Sequence, residues 1–111
     1  MISSHVLDTA LGVPARGLAV HLDVLEAGGD WRRLASTRTN DDGRAGTLAD
    51  AGELRERTCR LTFETGEYFA VSERPAFFPR VEVTFAVAAD ATRYHIPLLL
   101  SPYGYSAYRG S

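Results

Sequence analysis

Leu18-Ala19-Val20-His21-Leu22-Asp23-Val24 is the stretch that decides the fold. Leu18, Val20, Leu22 and Val24 share one parity, while His21 and Asp23 take the other. A period of two places alternate side chains on opposite faces of an extended chain, which a helix of about 3.6 residues per turn cannot do. The stretch therefore reads as a half-buried strand. Working outward, Ala27-Gly28-Gly29-Asp30 has the chemistry of a hairpin turn, and Trp31–Thr39 reads as the returning strand, with less clean parity. Asn40-Asp41-Asp42-Gly43 is a second turn, since Asn and Asp tolerate the left-handed region and Gly adopts it without strain. Arg44–Leu48 reads as a short strand, and Ala49–Arg57 as a loop or helical turn.

Further along, Cys59, Leu61 and Phe63 alternate within Thr58–Thr65. Gly66–Arg74 is the one expected helix: Tyr68, Phe69 and Val71 supply its apolar stripe, and Pro75 cannot continue it. Val81, Val83, Phe85 and Val87 alternate again. Tyr94–Ser101 differs, being apolar on both faces, with Ile96, Leu98 and Leu100 on one and Pro97 and Leu99 on the other. Such a strand in a small antiparallel protein needs a cover beyond its own core, and a subunit interface is the natural one. Tyr103–Tyr108 resumes as a last strand after Pro102. Short strands at regular spacing indicate an all-β sandwich.

The chain has 111 residues, which suits a single domain over 1–111 with a core of its own. The formal net charge of −2 argues against bulk attraction to nucleic acid or to anionic membranes. All 12 basic residues are arginine, the better residue for planar, two-pronged recognition of carbonyls and carboxylates. Cys59 is the single cysteine, expected as a buried thiol rather than a nucleophile. The first residues lack a signal-peptide pattern, and the longest apolar run, Ile96–Leu100, is too short to span a bilayer. A soluble cytoplasmic protein is the expectation.

Chemistry is sparse. His5, His21 and His95 are far apart, with no paired metal-ligand spacing, and there is no phosphate loop and no nucleophile elbow. No metal site is expected. Read alone, His21 is a solvent-facing histidine, His5 a polar surface residue ahead of the first strand, and Arg44 a surface arginine after a turn. Asp8 and Asp41 read as turn or cap residues. His95 is either satisfied in a core or exposed in a pocket. The tail Ser101–Ser111 is aromatic and strand-like, so it reads as docked rather than frayed.

Four segments in order resemble the signature segments of the 5-hydroxyisourate hydrolases, in the transthyretin-like family. They are Ser4-His5-Val6-Leu7-Asp8, Thr39-Asn40-Asp41-Asp42-Gly43-Arg44, Tyr94–Pro102 and the terminal Tyr108-Arg109-Gly110-Ser111. The resemblance covers Ser4 to Ser111 and implies a β-sandwich of two four-stranded sheets with one short helix. It also implies a homotetramer, a dimer of dimers, with sites in a channel at a dimer interface.

Carried over by position, His5, Arg44 and His95 would be catalytic, and His5, Arg44, Tyr108, Arg109, Gly110 and Ser111 would hold the substrate. Arg93 departs from the family pattern, which often has histidine there. The implied reaction is hydrolysis of 5-hydroxyisourate at a ring amide, without metal or cofactor. Water attack on an amide needs a base, oxyanion donors and a proton for the leaving nitrogen. His5 is the preferred base, His95 positions water or donates the proton, and Arg44 steadies negative charge. Two alternatives stand beside this reading. A transthyretin-like carrier of an aromatic ligand would need mainly apolar walls with few polar anchors. A plain interaction module would leave the histidines structural.

Overall fold

A computed structural model describes residues 1–111. In chain order the strands are β1 (Ile2–Asp8), β2 (Val13–Pro14), β3 (Ala19–Leu25), β4 (Trp31–Arg38), β5 (Arg44–Ala49), β6 (Thr58–Phe63), β7 (Val81–Ala86), β8 (Tyr94–Ser101) and β9 (Gly104–Ala107). One helix, α1 (Thr65–Val71), follows β6, and a 3₁₀ turn occupies Ala51–Leu54.

The strands form two sheets. One runs β4-β3-β6-β7, antiparallel throughout. The other runs from β1 through β8 to β9, with β5 and β2 sharing the far edge of β1. β5 pairs with the first half of β1, at Ile2 to His5, and β2 with its last two residues, Leu7 and Asp8. That sheet therefore counts five strands, with β2-β1-β8-β9 side by side at one end and β5-β1-β8 at the other; β2, too short to show a pattern, has no signal in the sequence. β1 and β8 run parallel, Ile2 opposite Tyr94 through Asp8 opposite Leu100.

The core lies between the sheets. Val6, Val20, Leu22, Leu61, Phe63 and Leu98 are fully buried there. Each such side chain contributes roughly 1.5–3 kcal/mol on burial. Cys59 is buried among them, as its alternation predicted.

Three local departures from the sequence reading have physical causes. His5 lies inside β1 rather than ahead of it, because pairing with β8 begins at Ile2. The blurred parity of β4 is a bulge: Leu22 faces Ala35 but Asp23 faces Arg33, so Leu34 is the extra residue. The helix stops at Val71, short of Arg74. Glu73 takes φ +56, and the Glu73 and Arg74 N–H groups bond back to Ala70 and Phe69 carbonyls, closing the helix with a left-handed cap.

Candidate active site

Strand parity builds the site. On β1 the residues Ile2, Ser4, Val6 and Asp8 point into the core and are buried. Ser3, His5 and Leu7 therefore occupy the outer face of that sheet. Ser3 stands directly opposite His95 on β8, and His5 directly opposite Arg44 on β5. Facing residues in adjacent strands share a face. Three neighbouring strands thus bring His5, Arg44 and His95 to one outer surface.

Each side chain is fixed locally. The Asn40–Gly43 turn is closed by the Asn40 carboxamide oxygen, which accepts from the Asp42 N–H at 2.9 Å and the Arg44 N–H at 3.0 Å. Gly43 sits at φ +77 with its carbonyl accepting from the Val6 N–H at 2.8 Å. This packs the turn on β1 and brings the Asp42 carbonyl to 2.8 Å from Nε2 of His5. A carbonyl can only accept, so Nε2 of His5 carries a proton and the lone pair of the neutral ring lies on Nδ1. On β8, Nδ1 of His95 is 2.9 Å from the Ser3 hydroxyl.

The tail crosses the same strand. The Gly110 N–H donates to the His95 carbonyl at 2.7 Å. A Cβ at Gly110 would meet Cδ2 of His95 at 2.9 Å, so only glycine allows so close an approach to the ring. Arg93 donates to the main-chain oxygen of Ser111 at 3.2 Å. Arg44, Arg93, His95, Ser3, Thr47 and Ser111 are among the walls of a cavity of about 400 Å³. Desolvation, then the charge of Arg44, the repulsion between a protonated His5 and a protonated His95, and the charge of Arg93 hold the His95 imidazole below its usual pKa, so it is neutral at physiological pH.

Not every residue carried over from the resemblance converges there. His5 stands beside the cavity without lining it, and Gly110 covers His95 from the tail. Tyr108 and Arg109 instead line a mainly apolar groove of about 450 Å³, together with Val83, Phe85, Tyr94 and Ile96. The Arg109 guanidinium lies 4.8 Å from the Tyr94 ring centroid. His21 is half-buried on the other sheet, bonded through Nδ1 to the Ser36 hydroxyl at 2.8 Å, far from being a bare surface histidine.

Residues 2–110 match the HIUase/Transthyretin family. The chain belongs to that family. A mouse 5-hydroxyisourate hydrolase is 41% identical over 99% of this chain and 94% of its own length. The 5-hydroxyisourate hydrolase 2 of Rhizobium meliloti is 47% identical over 99% of this chain and 95% of its own. Among solved structures, a Klebsiella pneumoniae 5-hydroxyisourate hydrolase superposes with a TM-score of 0.85 at 38% identity, covering 99% of this chain and 98% of that one. Sea bream transthyretin in complex with thyroxine superposes with a TM-score of 0.91 at 25% identity, covering 98% and 93%. This member of the HIUase/Transthyretin family thus shares its backbone with both branches and more of its sequence with the hydrolases.

One residue of the site in this family member escaped sequence reasoning, and a second was noticed without its contact. Ser3 reads as an ordinary polar residue near the N-terminus, and only the parallel register with β8 reveals its contact with His95. Arg93 stands out as a departure from the family pattern, but its grip on Ser111 depends on the path of the tail.

Proposed function

We propose that this chain hydrolyses 5-hydroxyisourate to 2-oxo-4-hydroxy-4-carboxy-5-ureidoimidazoline, a step of urate breakdown. The observation that carries the reading is the convergence of His5, Arg44 and His95 on one outer face of β5, β1 and β8. The similarity to full-length 5-hydroxyisourate hydrolases supports it.

The roles follow from which atoms are free. Nδ1 of His5 takes a proton from water as that water adds to the ring amide carbonyl. The oxygen that gains charge lies against the Arg44 guanidinium, whose fixed donors steady it. His95 is neutral and directs its unpartnered Nε2 to the substrate, and the proton held by His5 passes to the leaving nitrogen as the C–N bond breaks. Base, cation and donor are all side chains of the protein, so the step calls on no cofactor. Ser111 and Gly110 close one wall over His95, and Tyr108 and Arg109 belong to the same tail.

The same reading includes a homotetramer, a dimer of dimers, acting in the cytoplasm. Leu7 and Leu99, half-buried, form an apolar strip on the outer face beside the polar site, and the edges of β7 and β9 carry no neighbouring strand. A second copy would cover both and bring further walls to the site. Dilution into monomers should then abolish turnover, and a fully active monomer in sedimentation would overturn the assembly.

The primary test is a coupled ultraviolet assay in which urate oxidase generates the substrate in the cuvette. Decay should be accelerated by the wild type and return to the unaided rate with His5→Ala. A folded wild type that gives no acceleration would turn the reading toward a carrier, for which the superposition on thyroxine-bound transthyretin is the supporting observation.

A further inference from the structure

The site holds two histidines whose ring nitrogens meet partners of different kinds. His5 Nε2 faces the Asp42 carbonyl at 2.8 Å, an acceptor only. His95 Nδ1 faces the Ser3 hydroxyl at 2.9 Å, a group that can donate or accept. We propose that Ser3 is a positioning residue that fixes His95 in the tautomer opposite to that of His5, with the lone pair on Nδ1 and the proton on Nε2.

The argument rests on where the Ser3 proton can go. Ser3 is only 8% exposed, and His95 Nδ1 is the single partner of its hydroxyl. If Nδ1 were protonated and donated to Oγ, the Ser3 O–H would be left without an acceptor in the protein. That donor could then turn only toward the cavity, giving up a direct bond to the ring, and a largely buried donor left unpaired costs up to about 1–3 kcal/mol. Donating the hydroxyl into Nδ1 removes that cost and leaves Nε2–H as the free edge of the ring. The contact is also built in rather than incidental: Ser3 and His95 are directly paired across parallel strands, and the N-terminal half of β1 is held on its other edge by β5.

The consequence is a division of labour between two identical side-chain types. His5 offers a lone pair, which suits a base. His95 offers an N–H, which can bond the carbonyl or leaving nitrogen of a cyclic amide. Neutrality of His95 is needed for this, and Arg44, Arg93 and His5 around it favour the neutral form. A neutral imidazole N–H aimed at a carbonyl stabilises developing charge without competing for the water proton. The catalytic part of this inference rests on the hydrolase reading; the tautomer does not.

The test separates the two. Two-bond ¹H–¹⁵N correlation spectra of the ¹⁵N-histidine-labelled protein report the tautomer of each neutral ring. The wild type should show His95 protonated at Nε2, and Ser3→Ala should lose that preference while His5 stays unchanged. Ser3→Ala should lower kcat roughly tenfold, the equivalent of one hydrogen bond, with KM little moved. Ser3→Thr, which keeps the hydroxyl, should restore both readouts. A wild-type His95 protonated at Nδ1, or a Ser3→Ala protein with unchanged tautomer and kcat, would overturn the proposal. If the tautomer is as stated and the wild type fails to accelerate substrate decay, the hydrolase reading falls and the role of Ser3 in fixing the ring stands.

Discussion

At the scale of single residues, the protein spends its buried charges on structure and its half-exposed ones on the site. Asp8 is fully buried at the end of β1, where Arg74 donates to Oδ2 at 2.6 Å and the Tyr68 hydroxyl donates to the same oxygen at 2.8 Å. Burial raises its pKa, but Arg74, Tyr68 and the Leu11 N–H outweigh that and hold the carboxyl below its ordinary 3.8. Arg74→Met would leave an unpaired buried carboxylate and should cost about 3 kcal/mol, read as a lowered urea midpoint. A carboxyl with a depressed folded pKa stabilises the fold above the unfolded value and loses that contribution as pH falls through the folded one. Asp8→Asn should therefore flatten the loss of stability below pH 3.8. The sign reverses in meaning for His95, a base whose folded pKa lies below 6.5. The unfolded chain takes up this proton first as pH falls, so the contribution of His95 to stability rises with pH across the window just under 6.5. The acid limb of kcat/KM should fall below that value too, and Arg44→Ala should move the His95 titration, followed by ring proton chemical shifts, upward.

At the scale of elements, the turn before β5 aims the site. Gly43→Ala would place a Cβ 2.4 Å from the Val6 carbonyl oxygen while demanding φ +77 of an L-residue. The dihedral alone costs roughly 1–2 kcal/mol. The variant should lose at least that in thermal unfolding and should lose turnover as well, since Asp42 and Arg44 flank the glycine. Gly28→Ala, in the turn before β4 and with nothing within 4 Å of an added Cβ, serves as the near-neutral control. The same scale shows what can be read from sequence. Alternation in β3, β6 and β7 is legible because one face meets core and the other does not. The two-sided apolar character of β8 is legible too, although its outer half is partly covered by the tail rather than by a second sheet. The bulge at Leu34 shows only as blurred parity whose cause lies in the neighbouring strand, and the two-residue β2 is too short to leave any periodic trace. Within the site, His5, Arg44 and His95 could be picked out by resemblance, whereas Ser3 required the register between strands from opposite ends of the chain. Nothing in the spacing of Tyr108 and Arg109 separates them from Gly110 and Ser111; only the path of the tail does.

At the scale of the whole molecule, the site is assembled from the beginning, the middle and the end of the chain. β1 and β8 lie side by side in parallel, so contacts such as Ser3 with His95 join residues 92 positions apart. Closing so long a loop costs chain entropy before any contact rewards it, and folds dominated by distant pairings form slowly. β1 is made long before β8, so one of its edges stays unsatisfied until Tyr94–Ser101 has been made. Until then the site lacks His95 and β1 keeps a sticky free edge. In refolding experiments the return of catalysis should track the slowest structural phase, which makes turnover itself a reporter of complete folding.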